Sequence, residues 1–431
     1  MGADKMTKGL QNIDSSINPT LSRGMTPTEK LKEESISNFD QPQKTRMLLN
    51  EASRDLHPYH YLSMVEPHLS SKLISDESLS KIKKLGRHFQ DNITSFLIFE
   101  TRLKSDEAKS DYCFAVSSRN GEREKLLNLL NNGHLPDAFL EKDEWKQLNN
   151  FVKSWAHPKS LLYNNVLGLW FEFDTASSIP RAPKPSIFIQ PKSNYNITGD
   201  IHCQHKWITK KALPLLLGRS LPHTVEENIL DCIKKLPLNS SLFQIGTMLS
   251  REDNDIRLVI KGIKPDEIIS YLNSVGWTDD NKNRLSKLLD EIKDIVSRIV
   301  LHISVGEKVN PKVGIECSFD SNKYHKEQGW VRFLDYLSEK DLCNKEKYSS
   351  LLKYSGIYPK DHDEDFNSNK CIPSVMISQE NYSKRSLIRY ISHIKLIYRP
   401  NNNEIKAKAY PAVRLFGYPN DSKVKDSRLL K

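Results

Sequence analysis

The sequence predicts an α+β fold in which ten antiparallel strands, made as five hairpins with helices between them, curl into one barrel with the helices outside. Three observations lead there. Paired segments of alternating apolar and polar residues recur five times, stretches of helical period follow the first four pairs, and the strands divide into an apolar face and a charged face.

The elements follow in chain order. Residues 1–45 are polar, rich in Ser, Asn, Lys and Thr, and predict a flexible arm. Residues 46–90 carry Leu73, Ile74, Leu79, Ile82 and Leu85 at roughly helical spacing, with Ser and Asp placed to cap, and predict a helical lead-in. A barrel domain over 91–420 then begins with strands at 95–104 and 112–118 and helices over 122–130 and 138–155. Strands at 166–174 and 185–191 precede helices over about 208–235, and strands at 242–250 and 256–262 precede helices over about 265–296. The fourth pair, 299–306 with 312–320, leads into helices over about 328–354, and strands at 392–400 and 404–416 end the series. Asn- and Asp-rich joins such as REDND and RPNNNE suit hairpin turns. Residues 421–431 predict a flexible basic tail.

Successive strand side chains alternate faces, so parity sorts each strand. Leu97, Phe99 and Leu103 oppose Glu100, Arg102 and Lys104; Leu169, Phe171 and Phe173 oppose Trp170, Glu172 and Asp174. Leu258 and Ile260 oppose Arg257 and Lys261, and Ile315 and Cys317 oppose Lys312 and Glu316. In the last hairpin Ile394 and Leu396 oppose His393 and Lys395, and Ala407 and Ala409 oppose Lys406, Lys408 and Tyr410. Helices need an apolar partner, so they cover the apolar face and leave the charged one to line a lumen. An open ten-stranded sheet would normally curl or split. A sheet with one wet face, and two separate α+β sandwiches, stay open as alternatives.

Bulk properties narrow the class. Hydrophobic residues make up 38% of 431 residues and charged residues 27%, enough for a large core. No run approaches the roughly 18 apolar residues of a membrane helix, and the first residues lack the apolar stretch of a signal peptide, so a cytoplasmic protein without membrane insertion is expected. The six cysteines form no C-x-x-C pair and are read as reduced, with Cys113 and Cys317 on the outward parity. A net charge of +10 points to an anionic partner. Because the informative cations fall on the inner face, a small anionic molecule or peptide is favoured over nucleic acid.

With those residues in place, the pattern resembles the prenyltransferase barrel, or ABBA fold, of soluble aromatic prenyltransferases, over roughly residues 91–416. That family repeats an α-β-β-α unit five times around a solvent-filled lumen. Arg257 with Lys261, and Lys406 with Lys408 and Tyr410, are similar in kind to its diphosphate cradle. The resemblance implies a transferase of secondary metabolism that moves an isoprenyl group from a prenyl diphosphate to an aromatic acceptor, a small molecule or a peptide side chain. It implies diphosphate binding by Arg102, Arg257, Lys261, Lys312, Lys395, Lys406 and Lys408, since cations must meet the charge that builds on the leaving group. Glu100 is similar in placement to the acceptor-binding glutamate and is the expected catalytic residue. Trp170, Tyr410, Glu172, Glu316 and His302 are expected to shield the allylic cation or contact the acceptor. Tyr398 falls on the outward parity and departs from the family's tyrosine shield. No cofactor is required, and Mg2+ stays open. A barrel of the same fold that only binds an anionic molecule or peptide, or runs other chemistry, is the alternative.

Other clusters point less far. His202, Cys203 and His205 match no zinc spacing. Asp279 and Asp280 with Asn283 resemble a fragment of an aspartate-rich magnesium-diphosphate motif, but cap a predicted helix. Asp361, His362, Asp363, Glu364 and Asp365 form a solvated loop or a lid. A pentein-like hydrolase would need a nucleophilic cysteine beside His302 and Glu316, and the outward cysteines argue against it.

Overall fold

The computed structural model describes residues 58–89, 93–94, 96–118, 121–132, 134–175, 181–192, 205–251, 255–279, 282–319, 328–359, 384–402 and 404–418. The expected arm, tail and 361–365 loop lie outside these residues, as do His202 and Cys203.

Helices α1 (Pro58–Val65) and α2 (Asp76–Gly86) precede the sheet. Ser75 caps α2 by accepting the Ser78 N–H at 3.2 Å. Strands β1 (Phe96–Arg102) and β2 (Ser110–Ser117) are followed by α3 (Glu122–Asn131), α4 (Asp137–Leu140), α5 (Asp143–Ala156) and α6 (Leu161–Asn165). Strands β3 (Val166–Phe173) and β4 (Ser186–Pro191) lead to a π turn (Ile208–Ala212), α7 (Leu213–Leu217) and α8 (His223–Lys234). Strands β5 (Ser241–Met248) and β6 (Ile256–Lys261) lead to α9 (Pro265–Ser274) and α10 (Lys282–Ile292). Strands β7 (Arg298–Val305) and β8 (Val313–Ser318) precede α11 (Gly329–Glu339) and α12 (Lys345–Tyr354). A short β9 (Gly356–Pro359), which sequence periodicity does not signal, comes before the long hairpin β10 (Lys384–Arg399) and β11 (Glu404–Tyr418).

Each strand pairs antiparallel with the next from β1 to β8; β8 then pairs with β10, β10 with β11, and β11 with β1. Ten strands therefore close on themselves, and β9 adds only to the first part of β10. The closing register sets Phe96 against Arg414 and Arg102 against Lys408. Closure leaves no open edge on the ring, so neither the wet open sheet nor the pair of sandwiches describes the chain. This is the ten-stranded antiparallel α+β barrel that the sequence predicts.

The core lies between strands and helices. Leu97, Phe99, Phe114, Leu169, Phe171, Leu258, Leu301, Ile315, Leu396 and Ala407 are buried in one cluster with Trp145, Trp155, Ile229, Leu272, Leu288, Phe333 and Leu351 from the helices. Trp145, Trp155 and Trp277 each give their indole N–H to a backbone carbonyl, of Pro183, Val166 and Pro311 respectively, at 3.0–3.1 Å. That removes the penalty of burying a donor. Tyr398 is part of this outer cluster, as its parity predicts, and donates at 2.7 Å to Asp279. Asp279 thus belongs to the outer wall and not to the lumen.

A second, small cluster sits inside the ring: Ile98, Cys113, Ile388, Tyr390, Tyr410 and Ala412, with Phe96 and Trp170 packed against it. Phe96 meets Trp170 edge-on at 5.3 Å and stacks on Tyr390 at 6.4 Å. Cys113 is the correction here. The expectation of an outward thiol fails because Cys113 shares the parity of Asp111, Ala115 and Ser117, whereas Tyr112, Phe114 and Val116 join the outer core, and its pairing with Ile98 sets it inside the ring. A bulge between Ile391 and His393 matters likewise: the added residue, Ser392, lets Tyr390 and His393 both face inward.

Candidate functional site

One cavity of 260 Å³ occupies the lumen. It is lined by eleven of the sequence-predicted residues: Glu100, Trp170, Glu172, Arg257, His302, Lys312, Glu316, Lys395, Lys406, Lys408 and Tyr410. Strand alternation explains the selection, since all but Lys312, which immediately precedes β8, lie on the charged parity of a strand.

Two predicted cradle residues are placed elsewhere. Arg102 shares the parity but turns to Asp111, at 2.7 Å, with its side chain one-third exposed at the barrel rim. Lys261 is four residues along β6 from Arg257, about 13 Å at strand rise, and its ammonium lies over the Phe243 ring at 5.6 Å. Neither lines the cavity.

The structure also adds residues. Arg251 and Arg399 line the cavity with Phe188, Phe243 and Gln244. Arg251 follows β5 in a loop, where no parity applies. It grips Asp174 with two nitrogens, at 2.8 and 3.2 Å, and reaches Glu172 at 3.1 Å. Ser250 adds a hydrogen bond to Asp174 at 2.7 Å. Arg399 ends β10 on the parity of His393 and Lys395, so the predicted strand over 392–400 already carried the signal for it.

The lumen charges fall into two walls. On β1–β3 stand Glu100, Asp111, Glu172 and Asp174, met by Lys408, Arg102 and Arg251. Across from them, Arg257, Lys312, Lys395, Arg399 and Lys406 come from β6, the loop before β8, β10 and β11. Lys395 meets Glu316 at 3.6 Å, and Arg399 and Lys406 meet the rim residue Glu404 at 3.8 and 3.0 Å.

Glu100 is buried, and both oxygens are engaged: Oε1 accepts from Lys408 and Oε2 from the Tyr410 hydroxyl at 2.5 Å. Burial would raise its pKa, but the Lys408 charge and the two hydrogen bonds outweigh it and hold the carboxyl well below the usual range. Glu172 goes the other way. Burial and the nearby Glu100 anion raise it, with Arg251 only partly opposing. Burial and Glu100 likewise push Asp111 up to about 7.

On the basic wall, Glu316 Oε1 lies 2.6 Å from His302 Nε2. A carboxylate cannot donate, so Nε2 carries the proton and Nδ1 accepts from Lys395 Nζ at 2.8 Å. Burial and the Lys395 charge lower His302 to about 3, keeping it neutral. Burial and the Arg257 charge, against the pull of Glu316, lower Lys395 to about 8. Gly314 makes the contact fit: a Cβ there would stand 2.8 Å from Lys395 Cε and 3.1 Å from His302 Cβ. His393 stacks on Tyr410 at 4.1 Å and approaches Glu316 at 3.4 Å without hydrogen-bond geometry.

Burial and the carboxylates on β1–β3 push the Cys113 thiol far up, so it is no nucleophile although it faces the lumen. Among the described residues no three His, Cys, Asp or Glu side chains are grouped as metal ligands, and no helix is long and apolar enough to cross a membrane.

No family model matches the chain, and no curated protein does. Among solved structures, AnaPT from Neosartorya fischeri is similar: 12% identity, 87% of this chain and 93% of that chain covered, with a TM-score of 0.41. The barrel itself rests on the strand pairings given above.

Proposed function

We propose that the lumen binds an isoprenyl diphosphate and that the protein transfers the prenyl group to an aromatic acceptor, a small molecule or a peptide side chain. The observation that carries this reading is the basic wall. Arg257, Lys312, Lys395, Arg399 and Lys406 converge on one cavity whose remaining lining includes Trp170, Phe188, Phe243 and Tyr410. A diphosphate head meets the cations and its apolar tail meets the rings.

The chemistry follows from that pairing. As the allylic C–O bond breaks, the electron pair stays on the diphosphate, and preorganised cations stabilise it most when that charge is greatest. The carbocation left behind is held by aromatic faces, of which Trp170 and Tyr410 are the best placed on the acidic side. Attack by the acceptor ring forms the new bond, and a lumen carboxylate takes the ring proton.

A second reading has its own support. Glu100, the residue assigned to the acceptor by resemblance, already serves Lys408 and Tyr410 with both oxygens, which fits a barrel that binds an anion without turnover.

Thermal unfolding with dimethylallyl, geranyl and farnesyl diphosphates, against inorganic pyrophosphate, tests the donor site. A ligand at 100 times its Kd adds about 2.7 kcal/mol. Stabilisation by one prenyl diphosphate beyond that by pyrophosphate supports the reading. Stabilisation by none of the four ligands overturns it.

A further inference from the structure

Two glutamates from the acidic wall line the cavity, and their surroundings differ in kind. Glu100 has both oxygens occupied, one by an ammonium and one by a phenol hydroxyl, and is 2% exposed. Glu172 has one oxygen occupied. Its Oε1 accepts from Arg251 at 3.1 Å, and that guanidinium is anchored to Asp174 by its other contacts. Glu172 Oε2 makes no hydrogen bond to any described residue, and the side chain, 18% exposed, lines the cavity. Trp170 precedes it on the same inward face of β3 and pairs across to Phe188 on β4, so two aromatic residues line the same part of the cavity wall as Glu172.

We propose that Glu172, and not Glu100, is the carboxylate that receives the aromatic acceptor and takes the proton it loses. The inference rests on the prenyl-transfer reading of the lumen. In the step, the acceptor ring carbon bonds to the allylic carbon, the C–O bond to diphosphate breaks with its electron pair on oxygen, and the ring proton passes to Glu172 Oε2. The acid form later returns that proton to solvent. Glu100 acts as a positioning residue: it fixes Lys408 and Tyr410, and its permanent negative charge raises the proton affinity of Glu172. Two carboxylates whose surroundings push their proton affinities apart are the usual arrangement when one must accept a proton near neutral pH. The pKa directions agree, Glu100 lowered and Glu172 raised.

The test uses the full chain, wild type, Glu172→Gln and Glu100→Gln, with three probes: inorganic pyrophosphate, indole in the presence of pyrophosphate, and transfer from dimethylallyl diphosphate to indole. The expected result is that Glu172→Gln binds pyrophosphate within twofold of wild type, weakens indole at least tenfold and slows transfer at least a hundredfold. The acid limb of the kcat profile, lying above the ordinary carboxylate range in wild type, disappears in this variant. Glu100→Gln keeps indole binding within threefold. If Glu172→Gln binds indole and reacts as wild type does, the proposal is overturned. Pyrophosphate binding with no indole binding in any protein also overturns it and leaves the donor site standing; binding of neither removes the parent reading as well.

Discussion

Replacing Lys395 with methionine separates the part of anion binding that depends on its proton from the part that does not. Lys395 falls from an ordinary 10.5 to about 8 because it is buried and faces Arg257, with His302 and Glu316 as its hydrogen-bonding and charged neighbours. That lowering corresponds to about 3 kcal/mol of preference for the neutral amine. A diphosphate in the lumen restores the preference for the ammonium, so the complex holds a proton that the empty barrel releases above pH 8. Binding must then weaken with rising pH. Between pH 7 and pH 9 the wild-type Kd for pyrophosphate should rise about tenfold more than that of Lys395→Met, whose site has no proton to lose. Pyrophosphate's own ionisation and the other cations are common to both proteins and cancel in the ratio. Calorimetric titration at pH 7, 8 and 9 measures it. At pH 7 the variant should bind about tenfold or more weakly, the scale of one hydrogen bond to a charged group, and the two curves should converge by pH 9. A ratio that does not change with pH would refute the reasoning. The empty protein gives a second check with a definite sign. Between about pH 8 and 10.5 the unfolded chain holds this proton and the fold does not, so Lys395 makes stability rise with pH over that window.

Three further outcomes test other parts of the lumen. Glu100→Gln leaves the Lys408 ammonium without its carboxylate and should destabilise by about 3 kcal/mol, read by urea unfolding; an unchanged midpoint would mean the pair is not formed in solution. Gly314→Ala places a methyl 2.8 Å from Lys395 Cε, so it should weaken pyrophosphate binding at least fivefold while costing about 1–3 kcal/mol of stability; unaltered binding would show that Lys395 does not need its position beside His302. Tyr398→Phe removes the hydroxyl that serves Asp279 on the outer wall and should cost about 1–3 kcal/mol with pyrophosphate affinity unchanged, and a change in affinity would count against the separation of the two faces.

The strands and their faces were legible because each strand repeats a period of two over six or more residues, and one face must match helices. Leu258 and Ile260 against Arg257 and Lys261 is such a case. Alternation marks the faces of β2 as well: Cys113 shares its parity with Asp111, Ala115 and Ser117, while Tyr112, Phe114 and Val116 take the other. The outward expectation for Cys113 counts the thiol as one more apolar core residue and sets that parity aside. Arg251 had no period to belong to, since it leaves β5 for the hairpin loop, and its role depends on Asp174, 77 residues earlier. Alternation also cannot register a bulge: Ser392 shifts β10 by one residue and brings Tyr390 and His393 to the same side.

Parity assigns a side chain to a face and says nothing of its height along the barrel axis, which is why Arg257 and Lys261 look equivalent in sequence and lie at different levels in the fold. Height comes from the stagger that accumulates from strand to strand and is fixed only when the ring closes, here by β11 setting Lys408 beside Arg102 and β10 setting Lys395 beside both Lys408 and Glu316. Three cations thus become cross-strand neighbours in a row, an arrangement that costs stability in an ordinary sheet. Each is met by a carboxylate from a neighbouring strand: Asp111 for Arg102, Glu100 for Lys408, Glu316 for Lys395. Under the proposed function, a polyanion in the lumen would relieve what repulsion remains among these cations. Lys395, whose pKa is lowered first by burial and then by the Arg257 charge, is the member of the row whose titration tests that reading most directly.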